Sequence, residues 1–147
     1  MVWGYFTWWY VGLLVKISGI MTKESYLDIL KTSLPDFVDR SAYTKEEVIF
    51  QQDNDPKHTA KIVSYWLRSQ SIEVMQWPAQ SPDLNPIENL WAIVKKRLGK
   101  YPKAPGNIEE LWSRVQTEWR SIPNEILENI VESMPKRVES AIKRMVL

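Results

Sequence analysis

The chain has 147 residues, and 44% of them are hydrophobic, which suits one domain with a buried core and excludes a fully disordered protein. It contains no cysteine, so disulfide scaffolds, thiolate zinc sites and cysteine nucleophiles are excluded. The net charge is +1, but residues 89–147 carry eleven basic and seven acidic side chains, whereas residues 1–88 carry eight and eleven. The second part could meet a polyanion, although so small a split is also typical of ordinary solvated surface.

The first fifteen residues, MVWGYFTWWYVGLLV, carry no charge. Lys16 ends this stretch before the roughly 20 apolar residues that a membrane-spanning helix needs, and no basic segment precedes it as in a signal peptide. Its aromatic and β-branched residues favour strands, so Val2–Thr7 and Val11–Ser18 are predicted to form a β-hairpin. We therefore expect a soluble intracellular protein with no membrane partner.

The next segments alternate between helix and strand. Thr22 is suited to cap a helix over Lys23–Leu34, and the polar segment Pro35–Lys45 is expected to be loop. Val48–Phe50 is predicted to be a short buried strand. Asp55-Pro56 then resembles a helix start, with the Asp side chain as the cap. The apolar stripe of that helix is Ile62, Val63, Trp66 and Leu67.

A further strand, Ile72–Met75, is expected to end at Trp77-Pro78, before the turn-rich connector Ser81–Pro86. Asn85 and Pro86 suit the cap and the first position of a helix that ends near Gly99. One face of that helix is apolar at Ile87, Leu90, Trp91, Val94 and Leu98.

Two amphipathic helices follow, and a last short one is predicted over Lys136–Arg144. Their apolar positions are Ile108, Leu111, Trp112, Val115 and Trp119 in the first, and Ile126, Leu127, Ile130, Val131 and Met134 in the second. The order β-β-α-β-α-β-α and then helices predicts a single α/β domain, with its α/β part at about 1–98 and C-terminal helices at about 107–147.

Two carboxylates stand out by position. Asp53 lies at the carboxyl end of a predicted strand, where sites in α/β sheets are usually built. Glu88 lies in the first turn of a later helix, with 34 residues between the two. Converging carboxylates without cysteine suit Mg²⁺ or Mn²⁺, and paired ions of this kind can activate a water or a 3′-hydroxyl against a phosphodiester.

Each of these residues also has a structural interpretation. Glu88 with Asn85 matches a capping box, and Asp53 could end a strand with a turn. Asp55 is better explained as a cap than as a metal ligand. His58, the only histidine, is better explained as helix-start surface or as a hydrogen-bond partner behind the site than as a general base.

Two long motifs favour the functional interpretation. QQDNDPKHT at 51–59 and WPAQSPDLNPIENLW at 77–91 closely resemble the Tc1 branch of the Tc1/mariner transposases, and the 34-residue gap is that branch's pattern. The opening MVWG and the late SMPKR also look like family stretches. The resemblance therefore covers nearly the whole chain.

The resemblance implies an RNase H-like α/β core of the DDE transposase type. In that family three acids, Asp-Asp-Glu, hold two Mg²⁺ ions and catalyse cleavage at transposon ends and strand transfer into target DNA. By motif position Asp53 matches the second Asp and Glu88 matches the Glu, so both are expected to be catalytic metal ligands. Lys57, His58 and the cluster Lys95-Lys96-Arg97 could contact DNA, although a solvated helix face explains them as well. The resemblance also implies a nuclear location and no small-molecule substrate.

The family pattern is incomplete in this sequence. No Asp precedes Asp28, which lies in a predicted helix. By the resemblance, we therefore expect these residues to lack the first catalytic Asp with its central strand, the N-terminal helix-turn-helix region and a short tail. With two carboxylates, binding of the second ion is expected to be weak and the chain to be inactive alone. We expect the hairpin either to pair with the Asp53 strand or to leave an open edge that favours self-association.

Three functional hypotheses remain open. The first is an inactive relic of a Tc1-like transposase with residual DNA affinity. The second is an active nuclease or transposase whose third metal ligand comes from another acid or another chain. The third is a non-catalytic interaction module, in which the eight Trp and the C-terminal helices serve a protein partner.

Overall fold

The computed structural model of the chain describes residues 1–76 and 84–145, and the order of strands and helices there is the predicted one. The strands are β1 (Val2–Phe6), β2 (Val11–Lys16), β3 (Ile49–Phe50) and β4 (Glu73–Val74). The helices are α1 (Lys23–Arg40), α2 (Lys61–Ser69), α3 (Ile87–Leu98), α4 (Ile108–Arg120), α5 (Asn124–Glu132) and α6 (Met134–Met145). The expected strand end at Trp77-Pro78 and the connector residues 81–83 lie outside the described residues.

The strands form two separate two-stranded sheets, β1 with β2 and β3 with β4. In the second sheet the strands are parallel, Ile49 pairs with Glu73, and Met75 donates its N–H to the Phe50 carbonyl at 2.8 Å. Pairing of the hairpin with β3, one of the two expected arrangements, does not occur within residues 1–76 and 84–145. In the same ranges, no helix has the length and apolar character that crossing a membrane requires.

The first of two compact units comprises, among described residues, 1–3 and 17–76. Its core lies between α1 and α2. Thr22 caps α1 as predicted, because its hydroxyl accepts the Ser25 N–H at 3.1 Å while the Ser25 hydroxyl accepts the Thr22 N–H at 2.8 Å. The buried apolar side chains of this unit are Met21, Tyr26, Ile29, Leu30, Leu34, Val63, Leu67 and Ile72.

Helix α1 is longer than the sequence predicts. The expectation of a loop from Pro35 is wrong, because the helix continues through Pro35 to Arg40. Proline lacks the N–H that a helix interior uses and costs about 3 kcal/mol there. Pro35 lies on the exposed side, while Leu34 is buried and Phe37 and Val38 in the next turn are half-buried. Packing of the apolar stripe therefore outweighs the local break.

Two expectations around β3 are also wrong. Ile49 is 56% exposed, so the strand is not buried; among described strands it pairs only with β4, and its side chains are left partly open. The helix expected from Asp55-Pro56 begins instead at Lys61. Residues 55–59 form a closed turn, and Ala60 at φ −55° and ψ 147° separates that turn from α2.

The second unit comprises, among described residues, 4–16 and 84–145. Thr7 organises the hairpin turn: its N–H donates to the Tyr10 carbonyl at 2.9 Å, and its hydroxyl accepts the N–H groups of Trp9 and Tyr10. The core of this unit lies among α3, α4, α5 and the hairpin. Its buried residues are Leu90, Val94, Trp119, Ile122, Leu127 and Ile130.

Trp119 joins α4 to the hairpin. It is 1% exposed, its indole N–H donates to the Gly12 carbonyl at 3.0 Å, and its ring stacks on Trp91 at 4.8 Å between centroids. A Cβ on Gly12 would lie 2.1 Å from the Tyr5 ring, so only glycine lets that ring cover the strand at this point. The contact therefore depends on one indole nitrogen and one strand residue.

Replacing Trp119 with Phe is expected to lower the free energy of unfolding by about 1–3 kcal/mol, because the buried Gly12 carbonyl loses its donor. Urea titration followed by circular dichroism measures the change. Trp112→Phe is the matched control, because half-buried Trp112 on the same helix makes no indole hydrogen bond to a described residue. Equal losses in the two variants would show that the hydrogen bond contributes nothing.

Candidate active site

Asp53 lies three residues after β3, with its side chain 44% exposed. Its Oδ1 accepts hydrogen bonds from the His58 ring Nδ1 and from the Asp55 N–H, the latter at 3.1 Å. Its Oδ2 accepts no hydrogen bond from a described residue. One oxygen is therefore held by the protein, and the other is open to a ligand.

His58 is held in place by Tyr26 of α1 and by Gln52, which follows β3. Its side chain is 15% exposed, and its imidazole lies against the Tyr26 ring at 4.2 Å between centroids. The Tyr26 hydroxyl donates to Gln52 Oε1 at 2.5 Å, and Gln52 Nε2 donates to the His58 carbonyl at 3.1 Å. This Tyr26–Gln52–His58 network sets the direction from which Nδ1 reaches Asp53.

The turn at residues 55–59 is held by Asp55. Its carbonyl accepts the N–H groups of His58 at 2.8 Å and Thr59 at 3.1 Å, and its Oδ1 accepts the Lys57 N–H at 2.9 Å. The Lys57 ammonium lies 3.6 Å from Asp55 Oδ2. Asp55 therefore caps a turn rather than a helix, and Lys57 has an acidic neighbour within this turn.

Burial raises the pKa of the Tyr26 hydroxyl above its ordinary value of 10.0, and the negative charges of Asp53 and Asp55 raise it further. The phenol therefore stays protonated at physiological pH. Because the proton is retained, Tyr26 remains a donor to Gln52.

Glu88 belongs to the second unit and is exposed in the first turn of α3. Its N–H donates to the Asn85 carbonyl at 3.3 Å, but the expected capping box is wrong, because neither side chain bonds the other's backbone N–H. Pro86 already adopts helical angles and leads the chain into α3 without a side-chain cap. The carboxylate consequently makes no hydrogen bond or ion pair to a described residue.

The basic cluster on α3 divides by environment. Lys95 and Lys96 are exposed and form no ion pair with a described residue, whereas half-buried Arg97 lies 4.0 Å from Glu118. The first two remain available to a polyanion. Arg97 has a neighbouring carboxylate on α4.

The donor chemistry here fits a hard divalent cation, since Asp53 and Glu88 each present carboxylate oxygen with no competing partner among described residues. In the part of the chain that the structure describes, no group of three metal-binding side chains occurs. Each carboxylate is therefore suited to bind such an ion.

Two residues near Asp53 were missed by the sequence analysis. Tyr26 lies within the helix predicted over Lys23–Leu34 and Gln52 within the motif at 51–59, but the sequence analysis gives neither residue a role. Their contacts with each other and with His58 join α1 to residues after β3. The polar hydroxyl of a tyrosine on a buried stripe, which needs a partner, is the only signal the sequence offered.

The family model described as DDE superfamily endonuclease matches residues 13–111. Over 142 residues the chain is 39% identical to the transposable element Tcb1 transposase of Caenorhabditis briggsae and 36% identical to the transposable element Tc1 transposase of Caenorhabditis elegans. Each match covers 97% of this chain and 50% of the relative. The chain thus spans about half the length of the curated relatives it matches.

Solved structures of the Mos1 transposase share this fold. The catalytic domain with raltegravir and Mg matches at a TM-score of 0.75 and 23% identity, covering 94% of this chain and 71% of that one. A pre-cleavage Mos1 transpososome matches at 0.86 and 21%, covering 97% and 43%. This likeness confirms the predicted RNase H-like α/β fold of the DDE type.

Replacing Tyr26 with Phe is expected to lower the free energy of unfolding by about 1 kcal/mol at neutral pH, because Gln52 Oε1 loses its donor. In the unfolded chain Tyr26 ionises near pH 10, whereas in the folded chain it stays neutral, so ionisation above pH 10 favours the unfolded wild-type chain. The difference in free energy of unfolding between wild type and Tyr26→Phe therefore becomes smaller above pH 10. Urea titrations at neutral pH and above pH 10 measure this.

Tyr65→Phe is the matched control, because Tyr65 is 66% exposed and makes no hydrogen bond to a described residue. If the difference in free energy of unfolding between wild type and Tyr26→Phe became larger above pH 10, the Tyr26 hydroxyl would not be a buried, protonated donor.

Proposed function

Because this chain belongs to the DDE superfamily endonuclease family, we propose that Asp53 and Glu88 are two of the catalytic acids of a Tc1-type transposase centre. In this proposal they bind Mg²⁺ or Mn²⁺ and act on DNA at transposon ends and at target sites. The observation that carries the proposal is the Asp53 carboxylate, fixed through Oδ1 and open at Oδ2. A carboxylate that served only to end a strand would have no need of a histidine orienting it.

Asp53 is oriented before any ligand binds. His58 and the Asp55 amide both bond Oδ1, which leaves Oδ2 for an ion. Because the side chain is already held, binding an ion costs little further side-chain entropy. His58 donates from Nδ1 and thereby orients the carboxylate without entering the ion's coordination shell. Its Nε2 is buried and has no hydrogen-bond partner among described residues. In this proposal His58 acts through Asp53, and a direct contact with DNA is the weaker assignment.

Glu88 supplies the second carboxylate from α3. Its freedom from a capping box leaves both oxygens available. Bound divalent ions would supply Lewis acidity, activating a nucleophile and stabilising the leaving oxygen of a phosphodiester. The Asp53 and Glu88 side chains would hold and orient these ions. Because the 147 residues provide two of the family's three acids, we expect weak ion binding and no cleavage by this polypeptide alone.

Lys95 supports DNA as the partner. It lies seven residues after Glu88 on α3, so helical periodicity places both on one side of the helix, about 10 Å apart along the axis. An exposed ammonium at that distance could contact a phosphate next to one bound through a divalent ion at Glu88. Transposases act on DNA, and one Mos1 structure is a paired-end complex with the left transposon end. A nuclear location and self-association remain parts of the proposal.

Asp53→Asn and Glu88→Gln are each expected to weaken Mn²⁺ binding by about tenfold or more, because each removes an anionic ligand. Manganese electron paramagnetic resonance or calorimetry measures the affinity. Asp28→Asn and Glu109→Gln are matched controls: Asp28 is an exposed acid of the first unit, and Glu109 is an exposed acid in the first turn of α4. Controls that lose as much affinity as the two site variants would refute the assignment.

The 147-residue chain is expected to leave supercoiled plasmid uncut in the presence of Mg²⁺ or Mn²⁺, because two carboxylates poorly neutralise two divalent ions. Agarose gels resolve nicked from supercoiled DNA. Nicking that Asp53→Asn abolishes would show instead that the chain is active, with another acid or a second copy completing the centre.

A further inference from the structure

A pocket of about 340 Å³ opens beside Asp53 within the first unit. Asp53 lines it together with Arg68, near the end of α2, and with Asn54, Thr59 and Ser64. Resting on the proposed function, we propose that this pocket is a subsite for the phosphate and deoxyribose of one nucleotide of the DNA strand at Asp53, and that Arg68 binds the phosphate.

The charges in the pocket support an anionic occupant. Arg68 is exposed and forms no ion pair with a described carboxylate, Asp53 included, although both line the same pocket. A phosphodiester near Asp53 alone would be repelled by its carboxylate. A guanidinium across the pocket offsets that repulsion and offers paired N–H donors that match two phosphate oxygens.

The remaining lining suits a sugar–phosphate unit. Ser64 lies one helical turn before Arg68 on the same face of α2, so a hydroxyl and a guanidinium are presented side by side. Val74 and Met75 also line the pocket and add apolar surface for the deoxyribose. The volume lies at the lower end of the range of about 300–1,000 Å³ for ligand pockets, which admits one nucleotide rather than a duplex segment.

Arg68 also has a structural interpretation, since a cation in the last turn of a helix is stabilised by the helix dipole. That role needs only a positive charge, whereas paired donation to a phosphate needs the planar guanidinium. Arg68→Lys therefore separates the two, because it keeps a charge at the end of α2 and loses the fork.

The test measures binding of a short single-stranded oligonucleotide to the full 147-residue chain in EDTA, from about 50 to 200 mM salt. Arg68→Gln is expected to bind about tenfold more weakly. The fall of log affinity with log salt is expected to become less steep, by about 0.7 in the slope. Arg68→Lys is expected to restore the slope but only part of the affinity. Lys31→Gln, which removes an exposed charge on α1 away from the pocket, is the matched control.

A second measurement does not depend on the variants. Thymidine 5′-monophosphate added to the ¹⁵N-labelled wild-type chain is expected to shift the amide signals of Thr59 and Ser64. Equal weakening by Arg68→Gln and Lys31→Gln, or unshifted pocket amides, would overturn the proposal. Because EDTA removes divalent ions, these results stand apart from metal binding: an Arg68 effect with no Asp53→Asn effect on Mn²⁺ affinity would refute the metal assignment alone.

Discussion

The candidate site depends on the hydrogen bond between His58 and Asp53. It holds one carboxylate oxygen, and the Asp55 amide holds the same oxygen, so the other is presented in a fixed direction. His58 is in turn placed by the Tyr26 ring and by Gln52, and Tyr26 belongs to the buried stripe of α1. The packing of α1 against α2 therefore fixes the position of Asp53 through one aromatic residue, Tyr26. A looser core would widen the range of positions that the Asp53 carboxylate occupies.

Much of the fold could be predicted from sequence because its signals are local. Thr22 as a cap, the apolar spacing of α3, and the order of elements are all confirmed, whereas Ile108 of the apolar face predicted for α4 is exposed. The Tc1-like resemblance, which depends on two long motifs, is confirmed by the transposase relatives. Pro35 was misjudged because its effect depends on what lies beyond it: half-buried Phe37 and Val38 keep the helix going at a position where local rules end it.

The candidate site was only partly accessible to sequence reasoning. Asp53 and Glu88 were selected by motif position, and their roles stay predictions. The network behind Asp53 was not foreseen, since its partners are far apart in the chain: Tyr26 and Gln52 differ by 26 positions, and no periodicity predicts their contact. Arg68 was missed for a similar reason, because an arginine near the end of a helix has an ordinary electrostatic explanation until a pocket is seen beside it.

Two similar dipeptides show how folding and function share residues here. Asp55-Pro56 and Asn85-Pro86 both match a helix start, yet only the second leads directly into a helix. The Asp55 side chain accepts the Lys57 N–H, and the Asp55 carbonyl accepts the N–H groups of His58 and Thr59, so residues 55–59 form a turn. Ala60 then separates this turn from α2. A helix started at Pro56 would carry His58 in its first turn and aim the imidazole along the helix surface. The closed turn instead brings His58 onto Asp53, and α2 begins only afterwards, at Lys61.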